Sequence, residues 1–231
     1  MVTVTPTPSR TLFEPVQTPV GNLSVFGFET PVPYPFGSER TGYLVTDIDT
    51  AVQAARDNGA AVIVSPFPDP IGRDAIIQWP GGVNMQLYWH TKPPSPEPPL
   101  LAVPDNRVYV SRDNADTFIR DFVTFSDGAV TSAAAAAPGV EIGRAGEQCR
   151  RVRIESAFGK VAVLVTDGHL PWPYGRELAG YEVSNVQDTL ARATAAGAKI
   201  LAAPYTADRR VSAMVEFPGG YIAEIHAAAR P

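Results

Sequence analysis

The chain has 231 residues, a hydrophobic fraction of 45% and a formal net charge of −5. These values are typical of one large or two small globular domains with an ordinary core. The acidic balance excludes a general attraction to nucleic acid or to an anionic membrane. Residues 1–6 lack a signal-peptide pattern, and no apolar run reaches the roughly 18 residues that span a bilayer. We therefore expect a cytoplasmic protein, and its single cysteine, Cys149, excludes an internal disulfide.

The first half of the chain predicts a hairpin and then one unit of strand, helix and three strands. The hairpin spans 13–18 and 23–28, and the first strand of the unit spans 42–46. A helix follows from Asp47, whose carboxylate suits a helix N-cap, to Asn58, and Gly59 ends it. Three further strands are predicted near 61–64, 75–79 and 84–89.

The middle of the chain contains a linker and a second unit that the first half does not repeat. The segment 91–104 carries six prolines, which predicts a semi-rigid extended linker. A strand at 108–110 and a helix at 113–125 follow, with Asp113 or Asn114 as the helix cap. The alanine run 133–137 is compatible with strand or helix. Strands at 151–156 and 161–165 complete the unit.

The last unit repeats the first one 138 residues further along the chain, without a gap. Pro80-Gly81-Gly82 corresponds to Pro218-Gly219-Gly220. The repeat predicts an incomplete domain at 1–90, a linker at 91–105 and a complete domain with two units at 106–231.

Tandem βαβββ units, each closed by a Pro-Gly-Gly turn before a strand such as 222–225, resemble the vicinal oxygen chelate superfamily. That superfamily includes glyoxalase I, bleomycin-resistance proteins and extradiol dioxygenases. The resemblance covers about residues 10–90 and 106–228. It implies an α+β fold in which the βαβββ modules form curled mixed sheets around a cavity that holds a small molecule.

Metal enzymes of this family place a His on the first strand of a module and a Glu on the last, which implies a ligand set to look for here. Of the corresponding positions, only Glu224 carries a standard metal ligand. The other positions, each taken from the resemblance, are Gln86, Leu178, Arg40, Asn106 or Arg107, and Ala162 or Val163. A divalent metal cofactor is therefore an open alternative without a full ligand set.

The candidate catalytic residues lie on strands of the last unit. Glu224 and His226 are two residues apart on one strand and should face the same side. Glu182, on the first strand of that unit, is the third candidate. Such a cluster could bind a metal or abstract a proton next to a carbonyl, or it could only orient a ligand.

Six residues are predicted to contact a ligand. Tyr34, Trp172 and Tyr174 lie in proline-flanked loops that act either as a lid over the ligand or as a plug in the barrel mouth. The others, on strands, are Gln86, Tyr88 and Tyr109.

Two basic or reactive groups are predicted to have no catalytic role. Arg151 and Arg153 alternate along a strand and, with Arg150, are predicted to form a solvated edge rather than an anion site. Cys149 has no histidine nearby in sequence, so we do not expect a catalytic thiol.

Three functional hypotheses remain open on the sequence. One is an enzyme, a lyase, isomerase or dioxygenase with Glu224 as base or metal ligand. Another is a non-catalytic protein that sequesters a small molecule, as the bleomycin-resistance proteins do. The third is a scaffold whose first half only supports the second half or mediates dimerisation. Strands missing from the first half would leave an exposed sheet edge, which predicts a homodimer.

Overall fold

The computed structural model describes residues 12–18, 21–27, 41–69, 71–91, 105–168 and 177–229. The chain begins there with an antiparallel hairpin of β1 (Leu12–Thr18) and β2 (Gly21–Gly27), as predicted. The proline-rich linker, the loops that carry Tyr34, Trp172 and Tyr174, and Arg40 lie outside the described residues. Within the described part of the chain, none of the helices has the length and apolar character needed to cross a membrane.

Three βαβββ modules follow the hairpin, and their elements are as follows. Module 1 contains β3 (Gly42–Leu44), α1 (Ile48–Asp57), β4 (Ala61–Asp69), β5 (Gly72–Trp79) and β6 (Val83–His90). Module 2 contains β7 (Asp105–Ser111), α2 (Arg112–Ser126), β8 (Ala129–Pro138), β9 (Gln148–Ser156) and β10 (Gly159–Thr166). Module 3 contains β11 (Glu177–Glu182), α3 (Val186–Ala195), β12 (Lys199–Ala207), β13 (Arg210–Glu216) and β14 (Ile222–Ala228).

Local sequence explains where the helices begin. The Asp47 side chain accepts a hydrogen bond from the Thr50 backbone N–H at 2.7 Å, and Asn185, its repeat position, accepts one from the Asp188 N–H at 3.1 Å. The predicted cap of α2 is wrong, because that helix begins at Arg112 behind Ser111, which makes no side-chain capping bond. The alanine run is part of β8 and is therefore a strand.

The modules form two sheets besides the hairpin. Module 1 makes a four-stranded sheet in the order β3-β6-β5-β4. Modules 2 and 3 share one eight-stranded sheet in the order β12-β13-β14-β11-β7-β10-β9-β8. Antiparallel pairing of β7 with β11, where Arg107 stands opposite Leu178, joins the two modules. The predicted curled mixed sheets built from βαβββ modules are thereby confirmed.

The 138-residue repeat is preserved in strand register. Gly42 pairs with Gln86 between β3 and β6, and Gly180 pairs with Glu224 between β11 and β14. The irregularity between Val62 and Val64 in β4 recurs between positions 200 and 202 in β12. The duplicated sequence thus specifies the same backbone twice.

The apolar core lies mainly on the helix-facing sides of the sheets. One cluster joins modules 1 and 2, where Trp79 meets Phe122 of α2 edge to face with ring centroids 6.1 Å apart. A second cluster packs α3 on module 3. The opposite side of the eight-stranded sheet carries the site. We call it the inner face, and define it by Asp105, Arg107 and Tyr109 of β7 and by Glu224 and His226 of β14.

Candidate functional site

Glu224 is the carboxylate at the centre of the inner face. Its side chain is 1% exposed, and its Oε2 accepts a hydrogen bond from Arg107 Nη1 at 2.8 Å, with Arg107 completely buried. Gly180, its register partner on β11, makes room for it, because a Cβ there would lie 2.5 Å from Glu224 Oε2. The neighbouring strands therefore supply both the cation and the space that this carboxylate needs.

A second carboxylate reaches the same arginine from a loop. Between β8 and β9 a 3-10 turn spans Gly139–Ile142 and carries Glu141, which is 2% exposed. Glu141 Oε2 lies 3.3 Å from Arg107 Nη2, and Glu141 Oε1 accepts a hydrogen bond from Arg151 Nη1 at 2.6 Å. Arg107 is thus held between one carboxylate of the sheet and one of the loop.

The ion-pair network continues toward the surface through Asp105 and Asp208. Asp105 Oδ2 accepts hydrogen bonds from Arg153 Nη1 at 3.1 Å and from Arg210 Nη1 at 2.5 Å. Asp208 Oδ2 accepts one from Arg153 Nε at 2.9 Å and lies 3.3 Å from Arg151 Nη2. The network therefore pairs four guanidinium groups with four carboxylates, and their formal charges cancel.

The pKa shifts at the centre follow from this pairing. Burial alone lowers the pKa of Arg107, but the charges of Glu224 and Glu141 outweigh it and hold that pKa well above its ordinary value. Burial alone raises the pKa of Glu224, whereas Arg107, followed by His226 and the Ser212 hydroxyl, brings it well below its ordinary range. Both members of the central pair are therefore ionised near neutral pH.

The structure brings two of the three predicted catalytic residues together. His226 is buried, and its Nδ1 lies 3.5 Å from Glu224 Oε2 without a hydrogen-bond partner. Glu182 stands opposite His226 in the pairing of β11 with β14 and is only partly buried. The Glu224–His226 pair is thus a polar centre, with Glu182 at its more exposed end.

The inner face contains a donor set that resembles a metal site, but its surroundings do not fit a cation. Ligand atoms of Asp105, Glu224 and His226 lie within 4.8 Å of one another. However, Arg107 holds Glu224 Oε2, and two further guanidinium groups hold Asp105 Oδ2. A divalent cation would add two positive charges to a buried network that is already neutral, which is strongly unfavourable.

The predicted ligand-binding residues lie in different places. Tyr109 is buried on the inner face, in a cluster with Leu164, Leu178 and Met214. Gln86 and Tyr88 lie on β6 of the other sheet, where Gln86 Nε2 donates a 3.0 Å hydrogen bond to Asp74 Oδ2. Tyr34, Trp172 and Tyr174 lie outside the described residues. Of the three residues of this group that the structure describes, only Tyr109 lies on the same face as Glu224.

The predicted solvated edge at Arg151 and Arg153 is wrong. Their side chains are 4% and 15% exposed, because β9 lies inside the sheet and the turn that carries Glu141 covers its inner face. Only Arg150 points to solvent, where it pairs with Asp116 at 2.7 Å.

Sequence reasoning missed the charged network, although a signal for it was present. Charged or polar residues alternate along four strands of one sheet: Asp105-x-Arg107, Arg151-x-Arg153, Arg210-x-Ser212 and Glu224-x-His226. Alternation places the members of each pair on one face. Recognising that all four faces coincide requires the strand order, which the sequence of each strand does not contain.

Cys149 and a cleft lie beside the network. Burial, followed by the charge of Glu141, raises the pKa of the Cys149 thiol to about 11, so it is not a thiolate near neutral pH. The cleft, about 440 Å³ in volume, opens where β9 begins and β10 ends, and Ile142 and Cys149 line it. Both residues also belong to the apolar cluster of the inner face. The turn at Gly139–Ile142 thus separates the cleft from Arg107 and Arg151.

Comparison with solved structures identifies proteins of the same architecture. A mutant of 4-hydroxymandelate synthase from Streptomyces coelicolor is 14% identical over 95% of this chain and 81% of its own, with a TM-score of 0.65. The Mn(II)-bound glyoxalase from Novosphingobium aromaticivorans is 15% identical over 83% of this chain and 63% of its own, with a TM-score of 0.55. The 2,2',3-trihydroxybiphenyl 1,2-dioxygenase from Sphingomonas wittichii strain RW1 is 12% identical over 83% of this chain and 71% of its own, with a TM-score of 0.57.

Sequence comparison adds no closer relationship. No family model matches the chain, and no curated protein matches it. Identities of 12 to 15% to the three solved structures show a shared fold and leave activity open. The chain therefore has the fold of the vicinal oxygen chelate superfamily, in agreement with the resemblance in its sequence.

Proposed function

We propose that this protein binds a small molecule in the cleft beside the inner face of its eight-stranded sheet, without a metal ion. The observation that carries the proposal is the buried hydrogen bond from Arg107 to Glu224. In metal enzymes of this fold, the Glu of the last strand is a metal ligand. Here a guanidinium group binds one of the two carboxylate oxygens, and its charge already compensates that of Glu224.

The dimensions of the cleft support a small-molecule ligand. Its volume of about 440 Å³ lies within the range of roughly 300 to 1,000 Å³ that is common for such sites. Arginine, glutamine and threonine side chains line it beside Ile142, together with Glu147 and Asp167, which pair with Arg144, so polar groups that orient a ligand lie next to an apolar wall. The bleomycin-resistance proteins, which sequester a small molecule on the same fold, are the functional precedent for this proposal.

A metal-assisted enzyme is the second candidate function. The proximity of Asp105, Glu224 and His226, with ligand atoms within 4.8 Å, favours it. For that function the guanidinium groups on the two carboxylates would have to be displaced when the metal binds. Glu224 would then be a ligand and His226 a ligand or a base.

Metal analysis of protein purified without an affinity tag separates the two candidates. We expect no stoichiometric Zn, Mn, Fe or Ni in the wild type or in the Glu224→Gln variant. A stoichiometric metal in the wild type that disappears in Glu224→Gln would favour the enzyme and overturn the proposal.

A thermal-shift screen tests binding itself. Anionic, neutral and cationic compounds of low mass are added to metal-free protein, and the unfolding temperature is measured. A ligand at a hundred times its dissociation constant stabilises the folded state by about 2.7 kcal/mol, a readily detected shift. We expect stabilisation by at least one of these classes in the presence of a chelator. The absence of any shift in all three classes would contradict a binding function.

A further inference from the structure

Three nitrogen atoms of two buried guanidinium groups have no hydrogen-bond partner. They are Arg107 Nε, Arg107 Nη2 and Arg151 Nε, in side chains that are 0% and 4% exposed. Arg107 Nη2 and Glu141 Oε2 lie 3.3 Å apart as an ion pair without hydrogen-bond geometry, whereas the two Nε atoms have no partner. Because buried polar groups are nearly always hydrogen-bonded, the two unpaired Nε donors beside this ion pair point to a site for an anionic group.

Glu141 resembles an occupant of this site more than a part of its wall. It reaches Arg107 and Arg151 from the loop at residues 139–147, and not from the sheet. The loop is closed on itself, because the Gly139 N–H donates to the Glu147 carbonyl at 2.7 Å and the Arg144 N–H donates to the Gly139 carbonyl at 2.8 Å. Both bonds join residues within the loop, so the loop can withdraw as a unit without breaking them. Such a movement would break only the contacts of the Glu141 side chain with the two arginines.

The glycine at the start of the loop fixes this closed form. A Cβ at Gly139 would lie 2.4 Å from the Arg144 carbonyl oxygen and 2.6 Å from that of Glu147. Both atoms belong to the backbone, so a clash with a side chain at position 139 could be relieved only by moving the backbone of the loop. The tight closure directs Glu141 to the arginines and Ile142 to the wall of the cleft.

We propose that Arg107 and Arg151 bind the carboxylate of a small organic acid, and that Glu141 occupies this site in the ligand-free protein. The proposal deepens the proposed function and rests on it, since it names the ligand class of the same inner face. A ligand in the cleft is separated from the arginines by Ile142 and Glu141. Withdrawal of the turn would join the two spaces.

Charge selects a singly charged ligand. With Glu141 in place, four guanidinium groups face four carboxylates. A monocarboxylate that replaces Glu141 preserves this neutrality, and the two arginines offer it paired N–H donors. A divalent anion would leave one uncompensated negative charge in a buried network, which is costly.

The test uses acetate as the probe and removes the internal carboxylate. In Glu141→Ala the arginines lose their partner, so the unfolding temperature falls. We expect sodium acetate to restore part of that temperature in a saturable manner, whereas sodium chloride at the same ionic strength does not. The apparent affinity of the wild type for acetate should be at least about tenfold weaker, since Glu141 competes for the site.

Two double variants locate the effect. Adding Arg151→Met to Glu141→Ala should abolish the response to acetate, because one of the two donors is lost. Adding Arg120→Met should leave the response unchanged, because Arg120 is exposed on α2, pairs with Asp121 and does not line the cleft. A response that is equal for acetate and chloride, or that survives Arg151→Met, would overturn the proposal.

A second variant covers the case in which Glu141→Ala does not fold. Glu141→Gln keeps the length of the side chain and loses its charge, so acetate should bind this variant more tightly than it binds the wild type. Equal affinity, measured by NMR titration of labelled acetate, contradicts the proposal. This failure is distinct from failure of the proposed function, which is revealed by a stoichiometric metal in the wild type.

Discussion

Modules 1 and 3 have the same strand register, but their sheets carry different charged residues at equivalent positions. In module 1, Gln86 sits at the position of Glu224 and donates to Asp74. In module 3, Glu224 pairs with Arg107, which comes from β7 of module 2. Among the described residues β3 pairs only with β6, whereas β11 pairs with β14 and β7. The duplication therefore fixes the backbone, and the additional neighbouring strand of module 3 supplies the arginine that pairs with its central carboxylate.

The largest expected effect is the loss of one partner of the buried ion pair. Arg107→Met or Glu224→Leu alone leaves an uncompensated charge and should cost about 3 to 5 kcal/mol of unfolding free energy. The matched change in module 1, Gln86→Leu, removes a neutral donor and should cost about 1 kcal/mol. Urea denaturation measures all three.

The double variant Arg107→Met with Glu224→Leu completes the cycle. It removes both charges together and should be more stable than either single variant. If the loss of unfolding free energy in the double variant equals the sum of the losses in the two single variants, the pair does not act as a unit.

The second prediction concerns the dependence of stability on pH. The pKa of Glu224 lies well below its ordinary value of about 4.5, so the unfolded chain takes up a proton at this group before the folded protein does. Stability from Glu224 is therefore complete above pH 4.5 and decreases as the pH falls below that value. We expect the advantage of the wild type over Glu224→Gln to shrink between pH 6 and about pH 3.

Thermal unfolding of both proteins across this range checks the sign of the effect. Val130→Ala, at an exposed position of β8, provides the control, because neither residue titrates and its difference from the wild type should not follow the same curve. An advantage of the wild type that grows on acidification would contradict the assigned direction of the pKa shift.

The third prediction compares the two glycines at equivalent positions. A Cβ at Gly180 would lie 2.5 Å from Glu224 Oε2, an oxygen that Arg107 holds in place. A Cβ at Gly42 would lie 3.2 Å from a ring carbon of the half-buried Tyr88. Gly180→Ala should therefore cost about 1 to 3 kcal/mol, and Gly42→Ala less than about 1 kcal/mol. Equal losses in urea denaturation would indicate that the two sites are packed alike.

The smallest effect on stability is expected at the edge strand β3. Its described neighbours leave one edge of the module 1 sheet open, and the homodimer predicted from the sequence stays a prediction. Leu44 on β3 is 41% exposed, so Leu44→Lys should change the unfolding free energy by less than about 0.5 kcal/mol. If β3 forms the interface, light scattering should show a dimer for the wild type and a 24.7 kDa monomer for the variant. A monomeric wild type would contradict the predicted dimer.

The repeat in the sequence was sufficient to predict modules 1 and 3. Gly42 and Gln86 recur as Gly180 and Glu224 in the same strand register, and the Pro-Gly-Gly turn recurs before the last strand. The site could be predicted only in part. Glu224 and His226 followed from alternation on one strand. Arg107, Arg151 and Glu141 come from three separate elements, and their convergence depends on the pairing of β10 with both β7 and β9 and on a turn between β8 and β9. Long-range pairing of this kind leaves no local signal, so Arg151 and Arg153 were misplaced at a solvated edge.

Calorimetric titration of Mn²⁺ and Zn²⁺ into the wild-type protein tests the central claim most directly. The claim is that the Arg107 guanidinium, and not a metal, compensates Glu224. It predicts no binding of either ion that depends on Glu224, so wild type and Glu224→Gln should give the same small heats. Binding of one ion per chain in the wild type that is lost in Glu224→Gln would contradict it.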